Sequence, residues 1–166
     1  MRRFILTTVL ILGSIISYGQ SHHEFEILSG RAISVTEWDV SENAESTGIL
    51  GRSVIGGAYR YGFSNGLRFG VKYLYSPNFA VFVGAKTQTH ELILNGEYLF
   101  MRNKNCSPFL AVGTGPQYIR SKGNDGIHWG YQTLETGLVI KSKWRATLGW
   151  YNGTESFAYL TLGWLF

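Results

Sequence analysis

Glu155-Ser156-Phe157-Ala158-Tyr159-Leu160-Thr161-Leu162-Gly163-Trp164-Leu165-Phe166 closes the chain, and its reading decides the fold. Counted back from the last residue, every second position is apolar: Phe166, Trp164, Leu162, Leu160, Ala158. The interleaved set, Leu165, Gly163, Thr161, Tyr159, Phe157 and Glu155, is mixed. A period of two describes a strand with two unlike faces. Such a strand needs neighbours on both edges, so the chain before it must supply them.

The composition permits this. A chain of 166 residues makes one domain. Charged residues are only 16%, against the usual quarter, while aromatics reach 15% and glycines number 21. That balance describes a β-rich protein with an apolar surface. No run beyond the amino terminus approaches the length of a spanning helix, so residence in a membrane requires a closed barrel. The formal charge of +4 is scattered along the chain, which argues against nucleic acid as a partner. Cys106 is the single cysteine and has no internal disulfide partner.

Residues 1–19 read as a cleaved signal peptide. Arg2 and Arg3 give the positive start, Phe4 to Ile16 the apolar stretch, and Ser17-Tyr18-Gly19 a small-residue cleavage site before Gln20. No cysteine follows the apolar run, which argues against a lipid-anchored form. The mature domain is then 20–166.

Alternating segments and turn signals recur through that domain. Candidate strands run over 25–37, 48–63, 67–75, 79–85, 90–102, 108–120, 129–141, 144–151 and 155–166. Ser64-Asn65-Gly66 and Asn152-Gly153-Thr154 mark tight turns, and Pro116 marks an edge-like or bulged position. These nine segments exceed by one the even number that an up-and-down barrel requires. The short 79–85 segment is the best candidate for part of a long excursion, which leaves eight strands beginning near Phe25. The stretches 38–47, 76–89 and 121–128 read as outward loops.

A soluble barrel turns its apolar face inward, and a membrane barrel turns it outward. The positions opposite the apolar face hold Arg52, Arg60, Arg68, Lys72, Glu91, Asn95, Glu97, Glu135 and Arg145. Both signs are present in similar numbers, so these residues form a plausible paired lumen network. The aromatic residues cluster near strand ends, among them Tyr61, Phe63, Tyr73, Tyr75, Tyr98, Phe100, Trp129, Trp144 and Trp164. Interfacial girdles lie at those positions, and so many rings would overfill a small soluble core. The pattern therefore predicts an all-β, antiparallel, up-and-down transmembrane barrel of about eight strands. A soluble exported barrel binding an apolar ligand is the competing architecture.

With a leader, a meander, reversed faces and a terminal Phe166, the chain resembles the small Gram-negative outer-membrane β-barrels of the short eight-stranded type. The resemblance extends to paired aromatics before turns, Tyr61-Gly62-Phe63 and Tyr98-Leu99-Phe100. It implies residence in the cell outer membrane. It also implies contact with outer-membrane lipid and lipopolysaccharide, and an assembly signal at Trp164 and Phe166 read by the barrel assembly machinery. Extracellular loops would then meet any external ligand. The family includes adhesins, structural anchors, narrow channels and lipid-modifying enzymes.

The enzyme alternative is a lipid A deacylase, whose His-x-Ser-Asn element would fall on Gly62-Phe63-Ser64-Asn65 and lacks the histidine base. His128 and Glu135 stand seven residues apart, on the order of 23 Å along a strand, too far for contact. His22-His23 lacks the further ligands of a metal site. No catalytic, cofactor-binding or metal-binding residue is expected. The sequence favours a structural or interaction role, with the lumen plugged by paired charges.

Overall fold

The computed structural model describes residues 22–34, 52–77, 88–101, 104–121, 124–152 and 157–166. Eight strands follow in order: β1 His22–Ser34, β2 Arg52–Gly62, β3 Leu67–Ser76, β4 Gln88–Leu99, β5 Cys106–Ser121, β6 Asn124–Ile140, β7 Trp144–Asn152 and β8 Phe157–Leu165. Each pairs antiparallel with the next, and β1 pairs with β8, so the sheet closes without an edge. Closure runs from Glu26 opposite Leu165 to Ser34 opposite Phe157. The terminal Phe166 joins this seam, its N–H donating to the Phe25 carbonyl at 2.9 Å. Every strand reaches the roughly nine residues that a tilted strand needs to cross a bilayer.

The strand count matches the expected number, but several boundaries move. β1 starts at His22, three residues before the expected Phe25, because the polar lead already alternates: His23 and Phe25 face out, Glu24 and Glu26 face in. The candidate segment 79–85 and the loop 38–47 lie outside the described residues. The expected 76–89 loop narrows, with Ser76 inside β3 and Gln88 and Thr89 inside β4.

The expected loop at 121–128 is largely strand, and this corrects the sequence reading. Ser121 pairs with Asn124, Arg120 with Asp125 and Tyr118 with Ile127. A ladder that reaches into water needs no apolar face, so its residues lose the alternation by which strands are recognised in sequence. At Pro116 the β5–β6 register shifts between Gly115 and Gln117, as a residue without an N–H requires.

The turns sort into two ends. Short turns at 63–66, 100–105 and 141–143 share one end with residues 22 and 166, and the two long connections, β1 to β2 and β3 to β4, leave from the other. Short turns face the periplasm in barrels of this kind. The Ser64-Asn65 turn is closed by the Leu67 N–H donating to Asn65 Oδ1 at 3.0 Å, with Gly66 at φ 90°. Lys141 and Ser142 both hold positive φ, 50° and 53°, and the Lys143 N–H donates to the Ile140 carbonyl at 3.1 Å. That is the mirror-image two-residue hairpin turn, made here without glycine or asparagine.

The faces are reversed relative to a soluble barrel. Ile27, Leu94 and Leu162 stand outward with 65%, 62% and 63% of their surface exposed, while Arg60 and Arg145 are fully buried at 0%. A contiguous apolar wall of this kind is at home only in lipid. The chain is therefore an integral membrane β-barrel.

Candidate functional site

The inward positions build a charged layer across the lumen. Arg60 on β2 bonds Glu26 at 2.5 Å and Glu24 at 3.3 Å, and its Nε stands 3.5 Å from Glu97. Arg68 on β3 reaches Glu24 at 3.0 Å and Glu97 at 3.5 Å. Arg145 on β7 grips both oxygens of Glu97, at 3.1 and 2.5 Å, and donates from Nε to Thr147 at 3.2 Å. Its guanidinium lies 3.5 Å from the centre of the Phe109 ring. Glu24, Glu26 and Glu97 thus balance Arg60, Arg68 and Arg145.

A second group sits beside this layer. Lys72 pairs with Glu135, and the Tyr159 hydroxyl donates to the other Glu135 oxygen at 2.6 Å. Gln117 donates to Glu91 at 3.3 Å. Two apolar clusters complete the filling. Leu99, Phe109, Ala111, Val139 and Leu165 form one, and Leu28, Ala32, Val54, Leu74, Ile93, Tyr151 and Tyr159 form the other.

Room for these long side chains comes from inward glycines. A Cβ at Gly163 would collide with the Glu26 carboxylate, and one at Gly149 with the Tyr159 ring. In a barrel of eight strands the interior is only wide enough to be filled by side chains.

Of the expected lumen residues, Arg60, Arg68, Lys72, Glu97, Glu135 and Arg145 are brought together in ion pairs, and Glu91 is buried near Gln117. Arg52 begins β2 opposite Ala32, and its side chain lies outside the described residues. Asn95 faces inward and is buried. The sequence reading missed Glu24 and Glu26, which supply two of the three acids of the main layer. Their parity against Phe25 and Ile27 carried the signal.

A cavity of about 290 Å³ opens at the short-turn end, lined by residues that include His22, Glu24, Arg68, Ser107 and Phe166. Ser64 and Asn65 sit in a turn at this same end, whereas His128 lies opposite Gln117 toward the other end. The fold therefore keeps the deacylase-like residues apart. Among the described residues no group of three His, Cys, Asp or Glu side chains is placed to hold a metal ion.

The outer wall carries two aromatic belts. At the short-turn end Phe25 packs on Tyr59 at 5.2 Å between ring centres, Tyr98 on Phe100 at 4.9 Å and Trp144 on Trp164 at 4.4 Å. At the long-connection end Tyr75 and Tyr118 flank His90 at 4.8 and 5.8 Å. The side chain of Trp129 lies outside the described residues. Belts at two levels mark the two interfaces of a bilayer.

No protein-family profile matches the chain, and no characterised sequence does. Solved structures do. Neisserial surface protein A superimposes with a TM-score of 0.60 at 13% identity, over 88% of this chain and 97% of that one. The amino-terminal β-barrel domain of Pseudomonas aeruginosa OprF gives 0.57 at 18% identity, over 89% and 99%. The outer membrane protein OprG of Pseudomonas aeruginosa gives 0.53 at 12%, over 89% and 98%. At these identities the likeness is one of fold: the fold is that of the small outer-membrane β-barrels.

Proposed function

We propose that this integral outer-membrane barrel is a non-conducting structural and interaction protein that makes its contacts through the segments above the outer belt. One observation carries the reading. The lumen is crossed by a layer of mutually paired charges, with Arg60, Arg145 and Glu97 almost inaccessible. A chain of paired ions that fills its own barrel leaves no aqueous path for a solute. The β5–β6 hairpin, from Gln117 opposite His128 to Ser121 opposite Asn124, is the described part of the extracellular side. With the connections 35–51 and 77–87 it is the surface offered to an external ligand.

Planar bilayers test the first half. Reconstituted protein should give no stepwise conductance, and steady single-channel openings would overturn the closed-lumen reading. Loop-deletion binding screens on intact cells test the second half, with loss of binding expected. For assembly, the reading assigns Trp164 and Phe166 to recognition by the barrel assembly machinery. Removing Phe166 also removes its hydrogen bonds to Phe25, and membrane-inserted yield should fall. The lipid-hydrolase alternative has less support, because Ser64 and His128 stand toward opposite ends. Unchanged lipid A acylation on expression is the expected result.

A further inference from the structure

The paired charges of the lumen border a cavity that they do not fill. This is the space of about 290 Å³ at the short-turn end, and its walls are of two kinds. Leu99, Val139 and Leu165, members of one buried cluster, give it an apolar side. Glu24 and Arg68 give it a charged side. These two are the most exposed members of the charged layer, at 8% and 6%, against 0–3% for Glu26, Arg60, Glu97 and Arg145.

Register explains the space. His22 stands opposite Gly62, Gly62 opposite Arg68 and Arg68 opposite Glu97, in one cross-strand row. A Cβ on Gly62 would come within 2.6 Å of His22 Cε1, so the bare glycine makes room for the imidazole. Arg68 makes its ion pairs with Glu24 and Glu97 through Nη1 alone, at 3.0 and 3.5 Å. Its Nε and Nη2 have no partner among the described residues. A nearly buried donor left unmatched by its own chain favours an acceptor from outside it. The Glu24 carboxylate, with several lone pairs on its two oxygens, has capacity for a further donor.

Charge selects the ligand. Glu24, Glu26 and Glu97 already balance Arg60, Arg68 and Arg145, so the layer bordering the cavity is neutral as a whole. A simple carboxylate or a simple amine bound against it would bury a charge without a counter-ion. A zwitterion adds no net charge. Its carboxylate meets the unmatched nitrogens of Arg68, its ammonium meets Glu24, and its two charges are adjacent, as are those of the pair they face. The volume, about 290 Å³, is roughly that of ten waters at about 30 Å³ each, the scale of one aliphatic amino acid. We propose that Glu24, Arg68, Leu99, Val139 and Leu165 form a binding site for a free α-amino acid with an aliphatic side chain, entered from the short-turn end. The site is separate from the surface above the outer belt and requires no solute path across the charged layer.

The test uses the full barrel in lipid nanodiscs, with leucine and valine methyls labelled, titrated with free leucine and followed by NMR. Methyls of Leu99, Val139 and Leu165 should shift, while those of Leu28, Val54 and Leu74 in the other buried cluster should not. Isocaproate, which lacks the ammonium, and isoamylamine, which lacks the carboxylate, should each bind about tenfold more weakly than leucine, the scale of one charge-assisted contact. Glycine, which lacks the apolar body, should also bind at least about tenfold more weakly. Arg68→Lys keeps the charge and removes the fork, and should weaken leucine about tenfold. Tyr151→Phe, in the other cluster, should leave binding unchanged. No shift at saturating leucine, or shifts shared by both clusters, overturns the site. Isocaproate or isoamylamine binding as tightly as leucine overturns the zwitterion assignment, and glycine doing so overturns the apolar side. The ligand series is read on wild type, so the outcome does not depend on whether a variant folds.

Discussion

On β4, Leu92 and Leu94 face out with 46% and 62% of their surface exposed, while Glu91, Ile93 and Glu97 of the same strand are 1–2% exposed. The two faces of one strand thus tolerate different things. The outer wall asks each residue separately to be apolar, because its solvent is lipid. The lumen asks residues to match each other, because a buried ion is stable only beside its counter-ion. Outside, any of several apolar residues will do. Inside, the identity of each residue depends on strands distant in sequence, as with Arg145 and Glu97.

Four substitutions break or sharpen that contrast, in order of expected size. Glu97→Ala removes the acid shared by Arg60, Arg68 and Arg145, and should destabilise the barrel by about 3–5 kcal/mol, the scale of breaking a buried ion pair. Urea unfolding in vesicles measures it, and a loss under 1 kcal/mol would mean that water reaches the layer. Leu94→Arg puts one charge into the outer wall between the belts and should lose about 2–4 kcal/mol in the same assay. A neutral result would place Leu94 outside the hydrocarbon.

Replacing Lys72 and Glu135 together by methionine should destabilise by no more than about 1–3 kcal/mol, since the pair leaves as a unit and only Tyr159 loses a partner. Either single replacement should be worse than the double one, and additivity would show that the two charges act independently. Lys141→Asn with Ser142→Gly relieves two positive-φ residues and should stabilise by about 1 kcal/mol without touching either face.

The residues most legible in the sequence were those whose environment is uniform. Lipid surrounds Phe69, Val71 and Tyr73 in the same way, so period-two alternation identified their face and that of β3. The turn at Ser64-Asn65-Gly66 was legible because its chemistry is local. Glu24 was missed, since a charged residue next to His22 and His23 looks like a solvated lead until Arg60 and Arg68 are brought against it. The β5–β6 extension was missed because beyond the outer belt both faces of a strand meet water.

By itself, the sequence determined which residues face lipid, where most strands turn, and that the inside carries charges of both signs. Parity along a strand is local and survives without knowledge of its neighbours. The tertiary structure alone decided which charges meet. Arg60 reaches Glu24, Glu26 and Glu97 only through the registers of β1, β2, β3 and β4 and the closing of β1 on β8. It also decided that the Tyr73 hydroxyl meets the His90 ring on the outer wall. Register depends on stagger around a closed sheet, and no single strand carries that information.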